Sequence, residues 1–534
     1  MKTLCGLLSL FAVALAAGRA AEAAPASDAT VRRPNILFIA VDDLRPEFGA
    51  YGHPEIKSPN LDQLAARGMV FDRAYCQQAV CSPTRSSLLT GTRPDTTKVW
   101  DLVTHFRDAL PDVVTLGQHF KNNGYFVQGM GKIYHGSLDD APSWSVPWGT
   151  PDAVTYALPE NVKLNARRYG LDPDADNAPG AKGKGKGAGK AAPAAAPAVN
   201  TVTIPDGMPA QKNIRGPAFE AADVPDNTFQ DGKVAELAVS TLQQMSQKKE
   251  PFFLAVGFVK PHLPFVAPKK YWDLYDPAKI QLAPNPFRPK GAPDYAILPG
   301  GELRNYHGIP EGPVPDDLAR QLKHGYHAAI SYMDAQVGLV LAELDRLGLR
   351  ENTIVILWGD HGWKLGEHGA WCKHSNTEND TNAPLILSVP GMKHAGAHTR
   401  ALVEFVDVYP TLAELAGLPL PSHLEGISFK PLLTDPTLPW KQAAFSQYPR
   451  NAGKTGAGEL MGYSMRTDRY RFTVWVSRHD HTKIDAIELY DHQNDPLENT
   501  NTAKDPANTE LVEKLMKQWR AGWKGAQPVG LPKP

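Results

Sequence analysis

The sequence predicts an α/β fold: a sandwich with a large, mostly parallel sheet flanked by helices, followed by a smaller antiparallel sheet at the C-terminal end. Three observations lead there. Continuous apolar runs of strand length alternate with stretches of helix length. Two of those runs, Asn35–Val41 and residues 353–358, end in acidic sequences, Asp42-Asp43 and Gly359-Asp360-His361. Beyond about residue 440 the alternation stops, and strand-like segments follow without long helices between them.

The elements follow in order. Asn35–Val41 is apolar at every position but the first, as expected of a strand buried on both faces of a parallel sheet. Pro59–Arg67 reads as a helix, residues 114–122 as another, and 124–130 as a strand. Residues 233–245 read as a helix and 251–258 as a buried strand. A long helical stretch, 316–347, precedes the strand 353–358, and 384–389 continues the series. In the last part, 463–476 and 487–490 are strand-like and 508–523 is helical. The boundaries expected are 34–439 for the main domain and 440–534 for a C-terminal subdomain.

At 534 residues the chain exceeds what one simple core accommodates, in keeping with two lobes. With 42% hydrophobic and 21% charged residues it has the composition of an ordinary soluble protein. A net charge of -1 gives no general attraction to nucleic acid or to anionic membranes. An anionic substrate must therefore be met by a local cluster of positive charge.

Lys2, the apolar run 4–17 and the small-residue stretch 18–24 have the form of a cleaved signal peptide, taken as residues 1–23. The apolar run is short for a bilayer span, so export without stable membrane insertion is expected. Cys5 lies in that leader, which leaves Cys76, Cys81 and Cys372. Three cysteines do not make a disulfide scaffold, and the odd number leaves at least one unpaired. Whether Cys76 and Cys372 pair stays open. Residues 178–199, built of Ala, Gly, Lys and Pro, cannot bury enough apolar surface to offset their ordering, and read as a flexible insertion.

Three pieces carry chemistry. Asp42-Asp43 places two carboxylates side by side, which repel and call for a cation; hard oxygen ligands suit calcium or magnesium. Asp360-His361 also follows a buried strand, and C-terminal ends of parallel strands converge on one edge, so the two pairs can share a metal site. Cys81-Ser82-Pro83-Thr84-Arg85 reads as a loop that turns at Pro83 into a short helix ending near Gly91. A helix N-terminus and an arginine there stabilise negative charge, at a place fit to activate a nucleophile. For Cys81 alone, a plain buried cysteine before a capped helix explains the pattern as well.

Cys81-Ser82-Pro83-Thr84-Arg85, followed by Leu89-Thr90-Gly91, resembles the signature of the type I sulfatases. Further runs resemble the iduronate-2-sulfatase branch of that family, among them Gly131-Lys132-Ile133-Tyr134-His135, Lys260-Pro261-His262-Leu263-Pro264-Phe265 and Ser446-Gln447-Tyr448-Pro449-Arg450. The resemblance runs from about Asn35 into the C-terminal sheet and breaks at the 178–199 insertion. It implies an alkaline-phosphatase-like fold and a formylglycine generated from Cys81 by an external formylglycine-generating enzyme. It also implies one calcium ion held by Asp42, Asp43, Asp360 and His361, with residue 81 facing it. Arg85, Lys132, His135, His262 and Lys373 match the family's catalytic and sulfate-binding positions. Formylglycine then acts as a hydrated aldehyde: one hydroxyl attacks sulfur, His262 or Lys373 protonates the departing sugar oxygen, and deprotonation of the second hydroxyl, by His135, expels sulfate.

The implied substrate is a sulfated saccharide, a 2-O-sulfated uronate in the iduronate-type reading. Trp363, Trp371 and His374 stand near the expected pocket, as stacking surfaces for a sugar or as core packing. The iduronate-type sequences have Tyr where His374 stands. The enzyme would be periplasmic or extracellular in a bacterium and lysosomal in an animal. Two rival readings are a phosphoester or phosphonate hydrolase of the same superfamily, and an inactive carbohydrate-binding homologue.

Overall fold

The computed structural model describes residues 33–167, 215–299, 301–451 and 458–528. The expected leader, 1–23, and the expected insertion, 178–199, fall outside these described residues.

Seven strands form the main sheet. In chain order they are β1 (Asn35–Val41), β2 (Met69–Phe71), β3 (Phe126–Gly131), β4 (Phe252–Phe258), β5 (Thr353–Gly359), β6 (Leu385–Ser388) and β7 (His398–Thr399). Their spatial order is β7-β2-β6-β5-β1-β4-β3. The four strands β3, β4, β1 and β5 are parallel, with Val41 paired to both Gly359 and Phe258 and Gly131 paired to Gly257. The segment 384–389, expected to continue the parallel series, instead forms β6 antiparallel to β5 and to β2, so one side of the sheet is mixed. A short strand has the same apolar pattern in either direction; only the path of the chain into it decides.

β1 explains why the sheet is covered on both faces. Leu37, Ile39 and Val41 pack on one side with helices α3 (Gln230–Met245) and α4 (Asp316–Arg346). Ile36, Phe38 and Ala40 pack on the other, toward α2 (Cys81–Thr90). The strand's alternating side chains thus bury two separate cores, and its whole run must be apolar.

The C-terminal sheet has four antiparallel strands: β8 (Ala443–Arg450), β9 (Leu460–Thr467), β10 (Tyr470–Ser477) and β11 (Ile484–Asp491). The stretch 463–476, read as one strand-like run, is two strands of a hairpin that turns at Asp468-Arg469. Helix α5 (Thr509–Gly525) covers this sheet through Leu515. β8 lies against the segment that leads to Cys81: Gln447 donates its backbone N–H to Gln77 O at 2.8 Å, and Ser446 Oγ donates to Cys76 O at 2.6 Å.

Candidate active site

The parallel register delivers the site. Because Val41 lies level with Gly359 and Phe258, the residues after β1, β5 and β4 emerge at one edge. Asp42 N–H donates to Phe258 O at 3.2 Å, Asp360 N–H to Val41 O at 3.0 Å, and Asp43 N–H to Asp360 Oδ1 at 3.0 Å. Asp43 adopts φ 58, a left-handed turn that leads the chain off the sheet. On the other side, β3 ends at Gly131 with φ 66, so close to Gly257 that a Cβ on Gly257 would strike the backbone of Lys132. That close approach brings Lys132 to the same edge.

Helix α2 supplies Cys81. The helix begins at Cys81 itself, two residues before the expected turn at Pro83, which sits within the first turn where a missing N–H costs nothing. All ten residues of α2 are buried, and Gly91 closes it with φ 68. Thr84 Oγ1 donates to Asp360 O at 3.0 Å and so pins the helix to the end of β5.

Cys81 Sγ lies 3.3 Å from Asp42 Oδ1, 3.4 Å from His361 Nε2 and 3.7 Å from Lys132 Nζ. Sγ and ligand atoms of Asp42, Asp360 and His361 converge within 4.8 Å of one another; Asp42, Asp43, Cys81 and His262 form a second such set. His361 Nδ1 is engaged by Gly362 O at 3.0 Å, which turns Nε2 toward the cluster. Each set offers two carboxylates and an imidazole nitrogen, with Asp42 in both, and oxygen-rich donors of this kind fit a hard divalent cation.

The positive groups are packed around those carboxylates. Arg85 Nε bonds Asp360 Oδ2 at 2.9 Å, and its Nη2 lies 3.5 Å from Asp42 Oδ1. Lys132 Nζ pairs with Asp42 Oδ2. Lys373 Nζ bonds Asp43 Oδ1 at 2.9 Å. His262 Nε2 lies 3.9 Å from Asp43 Oδ2. Burial alone would raise the Asp42 carboxyl, but the cations beside it, Lys132 foremost and Arg85, outweigh it and hold the group well below the usual range. Burial pushes the Asp43 carboxyl well up; Lys373 opposes this, while Asp42 and Glu302 add to it. Burial and Asp42 likewise push the Cys81 thiol up, so it stays protonated.

His135 lies within the fields of Lys132, Asp42 and Arg85, and its Nδ1 is a buried atom with no partner among the described residues. Burial and then Lys132 hold it down to about 3, so its ring is neutral at ordinary pH. His262 is also held down to about 3, by burial first, against the upward pull of Glu302.

The structure thus gathers Asp42, Asp43, Cys81, Arg85, Lys132, His135, His262, Asp360, His361 and Lys373 at one edge. Of the two readings of the tryptophans, it favours core packing. Trp363 and Trp371 are buried in the core; Trp363 packs edge-on against Phe265, with Lys373 Nζ 4.8 Å from its ring centroid. His374 is half-buried beside Tyr448, their ring centroids 5.9 Å apart. Cys76 and Cys372 are free and buried in separate places, bonding Asp380 O and Leu298 O. One residue that the sequence did not single out is Glu302, whose carboxylate meets both Lys373 and His262. No motif surrounds it, so only the folded chain reveals it. A separate acidic group, Glu378, His492 and Glu498, is tied up by Arg466 and Arg471.

A nucleophile position at a helix N-terminus, facing three carboxylates and a ring of fixed cations, defines a hydrolase of anionic esters. The sulfatase family pattern matches residues 34–418, and the C-terminal pattern of N-sulphoglucosamine sulphohydrolase matches 366–523. The chain belongs to the sulfatase family and is a sulfuric ester hydrolase. It is similar to the iduronate 2-sulfatase of Mus musculus, at 37% identity over 581 aligned positions, 95% of this chain and 97% of that one. Its fold is the alkaline-phosphatase-like sandwich. A solved structure in complex with D-glucosamine-2-N,6-O-disulfate superposes with a TM-score of 0.68 at 20% identity, covering 93% of this chain and 98% of that one. A phosphonate monoester hydrolase from Silicibacter pomeroyi superposes with a TM-score of 0.67 at 21% identity, covering 93% and 96%.

Proposed function

We propose that the chain is an exported, calcium-dependent sulfatase that hydrolyses the sulfate ester of a 2-O-sulfated uronate in a sulfated saccharide, with formylglycine made from Cys81. The observation that carries this reading is the placement of Cys81 Sγ, 3.3 Å from Asp42 and 3.4 Å from His361 at the N-terminus of α2, among donor atoms that could hold a cation. The name of the mouse relative and the sulfated sugar bound in the structural neighbour support the substrate class. The leader that would direct export lies in residues 1–23. Among the described residues, no helix is long and apolar enough to cross a membrane.

Asp42, Asp43, Asp360 and His361 would hold the ion, with residue 81 facing it. Bound there, calcium supplies Lewis-acid polarisation of a sulfate oxygen. Formylglycine, installed by a formylglycine-generating enzyme, supplies an oxygen nucleophile and a second hydroxyl whose deprotonation releases sulfate. A thiol held protonated by burial and Asp42 is a poor nucleophile, which favours a converted residue over free cysteine.

The chain's own residues divide the remaining work. Arg85 and Lys132 present fixed positive charge in a water-poor setting, where it stabilises the negative charge that builds on sulfate oxygens. Neutral His135 is placed to accept a proton. Lys373, kept charged by Asp43 and Glu302 against its burial, is the proton donor to the sugar oxygen. His262 lies on the same side, beside Glu302 and Asp43, as a hydrogen-bonding group near that donor.

The test is activity of the full chain, co-expressed with a formylglycine-generating enzyme, on saccharides sulfated at defined positions. Release from a 2-O-sulfated uronate is expected, with an aryl sulfate preferred to an aryl phosphate. Cys81→Ala should lose turnover and keep its fold. Release from a 6-O-sulfated hexosamine alone would overturn the substrate, and an active Cys81→Ala the nucleophile.

A further inference from the structure

Glu302 stands beside Lys373 and His262 without belonging to the atoms that converge for a cation. It occupies the short 3-10 segment Gly301–Asn305, directly before the strand Tyr306–His307, which pairs with Arg215–Pro217. Its Oε2 accepts from Lys373 Nζ at 2.8 Å, and its Oε1 lies 3.2 Å from His262 Nε2. Arg215 Nη1 is 3.6 Å from the same carboxylate and donates to Tyr306 Oη at 3.1 Å. The carboxylate is therefore held from behind by a strand pair and faces two of the site's groups at once.

We infer that Glu302 is a positioning residue for departure of the sugar: it aims Lys373 and fixes His262 so that the departing oxygen receives its proton. This rests on the reading of Lys373 as the donor. When sulfur passes from the sugar oxygen to the oxygen at residue 81, the electron pair of the broken S–O bond stays on the sugar oxygen. A proton from Lys373 Nζ completes the hydroxyl, and the neutral amine recovers a proton from solvent. The lysine stem is flexible and its ammonium has three donors to direct. Asp43 meets the ammonium through both oxygens, Oδ1 at 2.9 Å and Oδ2 at 3.1 Å, and these oxygens also face the cation site. Glu302, outside that site, takes a further direction and so sets how the ammonium is turned toward the sugar oxygen. A misaimed donor loses rate even when it remains charged, because proton transfer needs hydrogen-bond reach.

The experiment compares two esters on the full, formylglycine-containing chain. One is a 2-O-sulfated saccharide, whose alkoxide must be protonated as it leaves. The other is a nitrophenyl sulfate, whose phenolate departs without a proton. Positioned proton transfer typically contributes about 10²–10⁴-fold, so Glu302→Gln should lower kcat on the saccharide by roughly 10- to 100-fold. The loss on nitrophenyl sulfate should be far smaller, and Glu302→Asp should recover part of the saccharide rate. Equal losses on both esters, or a change confined to KM, would overturn the inference. Lys373→Ala measured on the same pair separates the two claims. If it shows leaving-group dependence and Glu302→Gln does not, the role of Glu302 fails alone. If Lys373→Ala shows none, the donor reading fails and the inference with it.

Discussion

Arg85 and Asp360 form an ion pair, Nε to Oδ2 at 2.9 Å, in which neither side chain has any exposure to solvent. The guanidinium also donates through Nη1 to Ile133 O at 3.0 Å and to Lys132 O. One side chain from α2 thereby ties together the chain segments that leave β3 and β5. The fork shape matters: a guanidinium bonds several acceptors in fixed directions, where an ammonium is a point charge on a flexible stem.

Truncating Arg85 should therefore destabilise the protein. Removing one partner of a buried pair strands the other charge, at a cost of about 3–5 kcal/mol. Arg85→Ala should show that loss in urea unfolding, with Arg85→Lys intermediate. Stability is the measurement of choice, because Arg85 also has a proposed part in turnover. A loss within experimental error for Arg85→Ala would contradict this structural role.

Removing the cation should weaken the fold as well as the activity. Asp42 converges with Asp360 in one set of atoms and with Asp43 in another, and like charges so placed oppose one another unless a cation intervenes. A ligand that binds only the folded state, present at about 100 times its Kd, stabilises by about 2.7 kcal/mol. Dialysis against a chelator should lower the melting temperature and abolish turnover, and added calcium should restore both. Magnesium, which demands a stricter octahedral shell, should restore less. A melting temperature indifferent to chelator and calcium would leave the carboxylate cluster without its proposed ion.

Much of this site is legible in the sequence because its groups sit at strand ends. Asn35–Val41 and 353–358 are unmistakably buried runs, and a parallel sheet brings the residues just beyond them, Asp42-Asp43 and Asp360-His361, to one edge. Cys81 and Arg85 are contiguous in a short motif. Glu302 was not legible, because its contacts to Lys373 and His262 are made by a turn carried on a minor strand pair. An isolated glutamate in a Gly-rich stretch has no periodicity to mark it. The direction of β6 was equally hidden, since alternation of apolar residues is the same read either way. Trp363 and Trp371 stand beside candidate site residues in sequence, yet they are buried in the core; adjacency along the chain does not fix which face a side chain takes.

Stability should also fall with acid through a residue outside the active site, His327 on α4. It is 7% exposed, and its ring lies against Tyr275 with centroids 5.5 Å apart. Burial first, then Lys323 and His324, hold it down to about 3, against an ordinary value of about 6.5. In the folded state it is neutral at all moderate pH, while in the unfolded chain it takes up a proton as pH drops below about 6.5. Its contribution is therefore complete above that pH and is lost progressively as pH falls toward about 3. One proton corresponds to about 1.4 kcal/mol per pH unit. His327→Phe, which keeps a ring against Tyr275, should leave stability near pH 7.5 little changed. Between pH 6 and pH 4 it should flatten the decline by about one proton. Urea titrations of both proteins across that range measure the difference, and parallel slopes would show that His327 does not carry the effect.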